Sequence, residues 1–258
     1  MKKIVLFIVL LLVVGWSVAS AAQRRETLTL AASDMKTLSI DCGAGYLKVL
    51  GVDGLEQIEV AAVLNVNGIA DDELADFKKE FVTLKLEKVS GKAELTAKIE
   101  EEFTLSSLFG HHNDARIDLD VRVPRRLVLV IDDGSGDIDI RDSDGNVELV
   151  DGSGDICLTG IKGQVDIEDG SGEIRLVRIG GLLKIEDGSG DIELNDAGSD
   201  VTIDDGSGQI SLQRVLGSVT IEDGSGDIEI DGVEKDVIID EAGSGGVKIR
   251  NVKGKVKE

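Results

Sequence analysis

Aromatic residues, proline and histidine are scarce in this sequence. Aromatics make up 3% of the chain, proline occurs once, at Pro124, and the only histidines are His111 and His112. Sugar-binding surfaces commonly use exposed aromatic platforms, so carbohydrate binding of that kind gets no support. Imidazole catalysis has only the histidine pair to draw on. No Gly-x-Ser-x-Gly nucleophile motif occurs, because each repeated serine has glycine on both sides.

Cysteine is equally rare. Cys42 and Cys157 are the only two, and they lie far apart in the sequence. They allow at most one intramolecular disulfide, in an oxidising compartment. Unpaired thiols and an intermolecular bridge are the alternatives.

Long apolar runs are confined to one place. Ile4 to Val14 is unbroken, follows Lys2 and Lys3, and precedes the small-residue stretch SVASAA. This is the pattern of a secretory signal peptide, and the run is short for a membrane span. We expect residues 1–22 to be removed after Ala21 or Ala22, and the chain to be periplasmic, associated with the cell envelope or secreted. An uncleaved N-terminal anchor is the alternative; after cleavage we expect no integral membrane span.

Basic residues are outnumbered by acidic ones. The chain holds 28 Lys and Arg against 50 Asp and Glu, a net charge of −22. Such a surface repels nucleic acid and anionic lipid and attracts divalent cations or basic partners. An apolar content of 41% in strict alternation argues against disorder.

The most regular feature is an acidic, glycine-rich hexapeptide. DGSGDI, or a near copy ending in EI or QI, recurs at intervals of 18 residues. After each copy two apolar residues flank a variable one, as Ile192 and Leu194 do, and a second pair follows nine residues later, as at Val201 and Ile203. Alternation indicates half-buried strands, and a fixed period indicates a solenoid.

The sequence therefore predicts an all-β fold, a parallel β-solenoid (β-helix) of 18-residue coils over residues 124–258. We expect Ile167 and Ile185 to point inward and Asp166 and Lys184 to be exposed. Glycine accepts positive φ, and Asp before glycine closes an Asx-turn, so the DGSG motif is interpreted first as turn chemistry.

Residues 23–123 are less regular and predict an irregular β-rich cap continuous with the solenoid. Asp71 to Phe81 reads as a short amphipathic helix. The stretch TLSIDCGAGYLKV from Thr37 is expected to be a degraded first coil, with the same one-residue expansion as the turn from Glu241. Four apolar residues are expected to cap the open end of the stack or to form an exposed contact: Phe103, Leu105, Leu108 and Phe109.

The stretch VRVPRRLVLVIDDGSGDIDI, the GSGDI turns and the closing GSGGVKIRNVKG resemble a bacterial family of unknown function named putative adhesins. The resemblance spans about Thr37 to Lys255. It implies a secreted or envelope-associated β-solenoid. Because the motifs are structural, it brings no active-site residues.

Two columns of mostly acidic residues follow from the repeat. The first is Asp133, Asp151, Asp169, Asp187, Asp205 and Asp223; the second is Asp137, Asp155, Glu173, Asp191, Gln209 and Asp227. Ca²⁺ takes six to eight oxygen ligands, which stacked carboxylates can supply. The register differs from that of the calcium-binding nonapeptide of repeats-in-toxin proteins, which needs Asp where this chain has Ile138 and Ile156. We expect weak divalent-cation association along the first column, with Ca²⁺ at most weakly bound, and no other cofactor.

These patterns favour a non-enzymatic exported protein, an envelope or surface scaffold or an adhesin-like interaction protein. Its partner is an envelope protein or surface component that the sequence does not identify; its oligomeric state is open. The alternatives are a polysaccharide-active β-helix enzyme and a calcium-binding repeat protein. The acids are spread evenly over the repeats, whereas a catalytic site normally breaks the regularity of its scaffold. His111 and His112, with Asp114 nearby, are an alternative metal site.

Overall fold

A computed structural model describes residues 22–100 and 115–257 of this chain of 258 residues. The N-terminal part comprises β1 (Ala22–Ala31), β2 (Thr37–Ala44), β3 (Leu47–Val52), β4 (Gln57–Val66), α1 (Leu74–Phe81), β5 (Val82–Val89), β6 (Lys92–Ile99) and β7 (Ala115–Pro124). The regular part comprises β8 (Val128–Ser135), β9 (Ile138–Arg141), β10 (Val147–Asp151), β11 (Ile156–Ile161), β12 (Val165–Asp169), β13 (Ile174–Ile179), β14 (Leu183–Asp187), β15 (Ile192–Ala197), β16 (Val201–Asp205), β17 (Ile210–Val215), β18 (Val219–Asp223), β19 (Ile228–Val233), β20 (Val237–Glu241), β21 (Val247–Val252) and β22 (Val256–Lys257).

The strands of the regular part alternate between two sheets. From β8 onward, even-numbered strands join one sheet and odd-numbered strands join the other, and every pairing among them is parallel. Each residue pairs with its equivalent one coil away, as Ile167 does with Ile185 and Ile185 with Ile203. The predicted parallel β-solenoid of 18-residue coils is confirmed.

The core lies between the two sheets. Ile167 and Ile185 are both 0% exposed, while Asp166 and Lys184 face solvent. The predicted inward and outward positions are therefore correct. Inward isoleucine, leucine and valine side chains from successive coils form one continuous cluster, so each coil buries its apolar face against its neighbours.

The predicted helix is shorter than its sequence pattern. α1 begins at Leu74, and residues 71–73 form the turn before it. The Glu73 side chain accepts a hydrogen bond from the Ala70 backbone N–H at 3.0 Å, which holds this turn closed. Leu74 and Phe77 are buried, so one face of the helix joins the core.

The coils of the N-terminal part are not stacked in chain order. β2 pairs in parallel with both β6 and β8, and β3 pairs in parallel with both β7 and β9. The β2–β3 coil therefore lies between a coil made by β6 and β7 and the first regular coil, β8–β9. Antiparallel pairings of β1 with β4, β4 with β7 and β5 with β6 complete this end of the sheets.

The register of the first coil corrects one prediction. Asp41 pairs with Asp132 and Cys42 with Asp133, so the turn after Thr37 has no extra residue and Cys42 takes the place of the repeat's aspartate. The expansion is real at the other end, where the pairing shifts between Ile221 and Glu222. The sequence interpretation was wrong here because it aligned Asp41, rather than the adjacent Cys42, with the aspartate of the repeat.

No helix in the described ranges is long and apolar enough to span a membrane. Of the predicted signal peptide, only Ala22 falls inside those ranges. The histidine pair and the four apolar residues from Phe103 to Phe109 also lie outside the described residues.

Candidate functional site

The first acid column lies inside the solenoid. Parallel pairing places each aspartate beside its equivalent one coil away, as Asp151 lies beside Asp169 and Asp169 beside Asp187. The exposed fractions are all 7% or less, for Asp133, Asp151, Asp169, Asp187, Asp205 and Asp223. Sequence reasoning brought these residues together correctly, but it did not predict that they are buried.

One oxygen closes a turn in five of the six column aspartates, all except Asp133. The backbone N–H two residues later donates to the Oδ1 atom in five successive coils, at 3.3 Å for Asp151, 3.2 Å for Asp169, 3.1 Å for Asp187, 3.0 Å for Asp205 and 3.0 Å for Asp223. These are the Asx-turns expected from Asp before glycine. The interpretation of DGSG as turn chemistry is confirmed.

The second glycine of the motif is required by the contact between coils. At Gly190 φ is +151°, and a Cβ atom there would lie 1.7 Å from the Gly172 carbonyl oxygen. No side chain fits at that separation. The equivalent glycines repeat this contact, so the turns stack backbone on backbone.

The other oxygen of each column carboxyl is left without a partner. The Oδ2 atoms of five column members, and both oxygens of Asp133, are buried and form no hydrogen bond of standard geometry: Asp133, Asp151, Asp169, Asp187, Asp205 and Asp223. A buried carboxylate without a partner is costly, and protonation removes the charge.

Burial raises the pKa of every carboxyl in the column. The pKa of Asp151 and Asp187 rises to about 7, because burial disfavours the charged form and the column neighbours add repulsion. Burial likewise raises the pKa of Asp133 and Asp205 to about 6. For Asp169 and Asp223 the pKa is raised in the same direction, again mainly by burial. The column therefore retains protons close to neutral pH.

The column ends in uncharged residues. Cys42 continues it beyond Asp133, and the register shift brings Ala242 to the opposite end. Burial and the Asp133 charge raise the pKa of the Cys42 thiol strongly, so the thiol stays neutral and is a poor nucleophile. Cys42 and Cys157 are both free, which excludes the disulfide between them.

The second acid column is exposed and links successive coils. Asp137 Oδ1 accepts the backbone N–H of Asp155 at 3.3 Å, and Asp155 Oδ1 accepts that of Glu173 at 3.0 Å. Asp191 and Asp227 accept equivalent bonds from the next coil. These acids thus cap the turn above them, a structural task that does not require a ligand.

Within residues 22–100 and 115–257, no group of three or more His, Cys, Asp or Glu side chains is arranged to hold a metal ion. Weak association of divalent cations with the first column stays a prediction.

A separate concave surface lies at the other corner of the coils. There one residue per coil adopts a left-handed backbone and is skipped by the strand pairing, as Gly160 and Arg178 are between β11 and β13. This column comprises Asp142, Gly160, Arg178, Asp196, Arg214, Gly232 and Asn251, with φ between 53° and 85°. Both paired strands skip this position, so the left-handed corner repeats from coil to coil without a shift of register.

The left-handed corners line an open trough, here named the corner groove. It extends along the left-handed column from Asp142 to Gly232, has a volume of about 740 Å³, and presents mostly apolar atoms. Gly180 and Gly198 lie side by side in its floor. A Cβ at Gly198 would lie 2.8 Å from the Gly180 carbonyl oxygen, and one at Gly180 would lie 3.1 Å from that of Lys162, so a side chain fits poorly at either position and the trough stays open there.

The acids of the corner groove are all in ion pairs. Asp142 lies 3.7 Å from Arg125, and Glu234 lies 2.7 Å from Lys253. Asp196 pairs with Arg214, and this contact lowers the Asp196 pKa. The ion pair therefore favours the ionised form of Asp196.

Arg178 is the exception among the cations of the groove. Arg214 reaches the preceding coil and finds Asp196 there. Arg178 reaches the preceding coil in the same way, but the equivalent residue is Gly160, and a Cβ on Gly160 would lie 3.9 Å from the Arg178 Nη2 atom. Within the described part of the chain, the Arg178 side chain forms no hydrogen bond and has no carboxylate within 4.0 Å, although Asp196 of the next coil is near enough for the charge of Arg178 to help lower the Asp196 pKa.

Sequence reasoning missed the corner groove. Alignment at the 18-residue period does place Arg178 and Arg214 in one column with glycine and Asp, residue types that favour left-handed backbone. That mixed column was the available signal, and it was obscured by the more regular acid columns.

No protein-family model and no curated protein sequence matches the chain. Solved structures do match. A "putative adhesin" from Bacteroides fragilis is 11% identical, with a TM-score of 0.42, covering 91% of this chain and 96% of that one. A "putative cell adhesion protein" from Clostridium sporogenes is 13% identical, with a TM-score of 0.34, covering 91% and 98%.

A third match is a "putative lipid binding protein" from Parabacteroides distasonis, 14% identical with a TM-score of 0.33, covering 91% of this chain and 96% of that one. The first name coincides with that of the family that the sequence resembles. The assignment of the solenoid rests on the strand register described above.

Proposed function

We propose that this protein is an exported, non-catalytic interaction protein of the cell envelope, and that the corner groove is its binding surface. The groove carries the proposal because it is concave, mostly apolar and furnished with an unpaired arginine. Ligand sites commonly have this composition, a largely apolar lining with a few placed polar groups, and its volume lies in their usual range.

The charge arrangement favours binding over catalysis. A glycoside hydrolase needs one carboxylic acid that stays protonated to serve as the general acid. In the corner groove each acid is in an ion pair with a cation, and the pair with Arg214 lowers the pKa of Asp196. The acids with raised pKa are those of the first column, and these are buried inside the turns, where a substrate has no access.

Export is proposed from the N-terminal sequence alone, through the signal-peptide pattern of residues 1–22. Mass spectrometry of the chain recovered from the periplasm, envelope and medium tests this part. A mature N-terminus at Ala22 or Gln23 is expected; an intact Met1 in the cytoplasm contradicts it.

The binding role is tested with the chain purified from cells and separated lipid, polysaccharide and protein fractions of the envelope. We expect one fraction to slow hydrogen exchange in the floor of the corner groove, around Gly180 and Gly198, without turnover. Release of a cleaved product that is lost in Asp196→Asn would instead show an enzyme. Protection confined to other surfaces, or none in any fraction, would remove the groove from the proposal.

A further inference from the structure

The corner groove is long and narrow rather than round. It follows the left-handed column from Asp142 to Gly232, which is five coil steps or about 24 Å. Most of the atoms that it presents are apolar, from the glycine floor and from aliphatic side chains such as Leu216, which is 59% exposed. A ligand that matches this shape is extended and has a mostly apolar body.

The polar requirement of the groove is a single negative charge. Arg214 is satisfied by Asp196, and Lys162 is satisfied by Asp144 at 2.9 Å. Arg178 alone among the three has no ion pair within 4.0 Å, because the position that would supply one is Gly160; Asp196 acts on it only at longer range. A guanidinium binds a carboxylate, sulfate or phosphate through paired N–H donors.

The backbone at Arg178 adds an independent observation. Its φ is +57°, a left-handed conformation that is unfavourable for a long side chain and that glycine or asparagine would adopt at lower cost. Arg214 shares the conformation but has the ion pair with Asp196 as compensation. The coil geometry imposes this backbone at every corner, and at Arg178 no ion pair within 4.0 Å offsets its cost.

From these observations we propose that the corner groove binds a linear amphipathic anion, a long alkyl chain ending in a carboxylate, sulfate or phosphate. The chain lies along the glycine floor, and the anionic group pairs with Arg178. This inference rests on the proposed function and specifies its ligand class. It concerns single molecules; the net charge of −22 still repels an anionic membrane surface. Screening limits that repulsion to about 8 Å at physiological ionic strength, so the adjacent arginine dominates at contact.

The test uses palmitate as the probe, with the purified exported chain at pH 8 and below the concentration at which palmitate aggregates. Hexadecanol has the same chain without the charge, and polygalacturonate has the charge without the chain. We expect calorimetry to show saturable binding of palmitate, much weaker binding of hexadecanol and no binding of polygalacturonate.

Two variants locate the anion site. Gly160→Asp places a carboxylate beside Arg178, as Asp196 lies beside Arg214, and it keeps a backbone that Asp142 and Asp196 already adopt. It should weaken palmitate binding about tenfold, as should Arg178→Gln. The matched control is Gly232→Asp, which adds the same charge to the same column but three coils, or about 14 Å, from Arg178. It should bind palmitate like the unaltered chain.

The outcomes separate this inference from the proposed function. Equal binding of palmitate and hexadecanol, or equal losses in Gly160→Asp and Gly232→Asp, overturns the assignment of an anion to Arg178. Binding of polygalacturonate but not palmitate shows an acidic polysaccharide instead and overturns the ligand class. In each case, protection of the groove by an envelope fraction would leave the proposed function standing.

Discussion

Each carboxyl of the acid column destabilises the folded protein when it is ionised. Asp187 uses Oδ1 in its turn, while Oδ2 is buried without a partner. Its pKa of about 7 means that ionisation above neutral pH opposes folding. The asparagine side chain keeps the turn acceptor, carries no charge and offers N–H donors to the neighbouring carboxyls.

Asp187→Asn is therefore expected to stabilise the protein at pH 8, by about 1–2 kcal/mol once solvent screening is allowed for. The gain should shrink at pH 5, where Asp187 is protonated. Urea denaturation at both pH values measures it. The control is Asp191→Asn in the exposed column, which keeps its bond to Gln209 and should change little. Equal destabilisation of Asp187→Asn at both pH values would show that the carboxylate has a favourable partner, such as a bound cation.

The left-handed backbone of Arg178 gives a second prediction for a single residue. Arg178→Asn should raise the free energy of unfolding by about 0.5–1 kcal/mol, because asparagine tolerates positive φ better than arginine. Arg214→Asn relieves the same backbone but gives up the ion pair with Asp196, so its gain should be smaller. The two variants are compared by the urea concentration at the midpoint of unfolding, provided that the dependence of the unfolding free energy on urea is unchanged. A loss of stability in Arg178→Asn would mean that the arginine is held by contacts within the protein.

Among the elements, the strands of the regular coils bury the apolar side chains that the sequence period predicts to point inward. Ile185 in β14 contacts the core from a fully buried position, and its paired neighbours are Ile167 and Ile203. Loss of one such side chain leaves a cavity that the stacked coils above and below cannot fill by moving closer, since their spacing is fixed by backbone hydrogen bonds.

Ile185→Ala is expected to lower the free energy of unfolding by about 2–5 kcal/mol. Lys184→Ala, one residue earlier on the exposed face, should change it by less than about 0.5 kcal/mol. Chemical denaturation of the two variants side by side is the measurement. Similar effects for both would mean that the inward and outward faces of β14 have been assigned wrongly.

The elements also show how far sequence reasoning reached. The period and alternation were sufficient for the coils, the inward residues and the turn chemistry, because each depends on local residue type. The position of Cys42 in the acid column was missed, since only strand pairing decides which of two adjacent turn residues takes the column position. The corner groove was missed because the left-handed backbone of Arg178 and Arg214 is imposed by the coil geometry rather than by those residues.

At the scale of the whole molecule, the buried carboxyls add up to an unusual pH dependence. Each has a folded-state pKa above its unfolded value of about 3.9, so the folded state binds more protons than the unfolded state between pH 4 and 7. Stability then falls as pH rises through this window. Most proteins that hold their carboxylates in ion pairs behave in the opposite way.

We expect the melting temperature to be higher at pH 5 than at pH 8 by about 5 °C or more. Calorimetry at constant ionic strength measures the difference. Protonation of exposed acids at pH 5 also reduces the net negative charge and raises the melting temperature. The contribution of the column is therefore measured with the double variant Asp151→Asn and Asp187→Asn, in which the difference in melting temperature between pH 5 and pH 8 should become smaller. A melting temperature that is lower at pH 5 in the unaltered chain would contradict protonation of the column.

From the stacking order at the N-terminal end we expect a particular order of folding. Pairings within the regular part join residues one coil apart, so loop closure there is inexpensive and can begin at any coil. β2 and β3 have no such neighbours in sequence, because their parallel partners β8 and β9 follow only after β4 to β7. During synthesis these strands emerge before the surface that they pair with. Pulsed hydrogen exchange during refolding should therefore protect β12, β14 and β16 first and β2 and β3 last. Protection of all these strands at the same time would show that the protein folds as one cooperative unit.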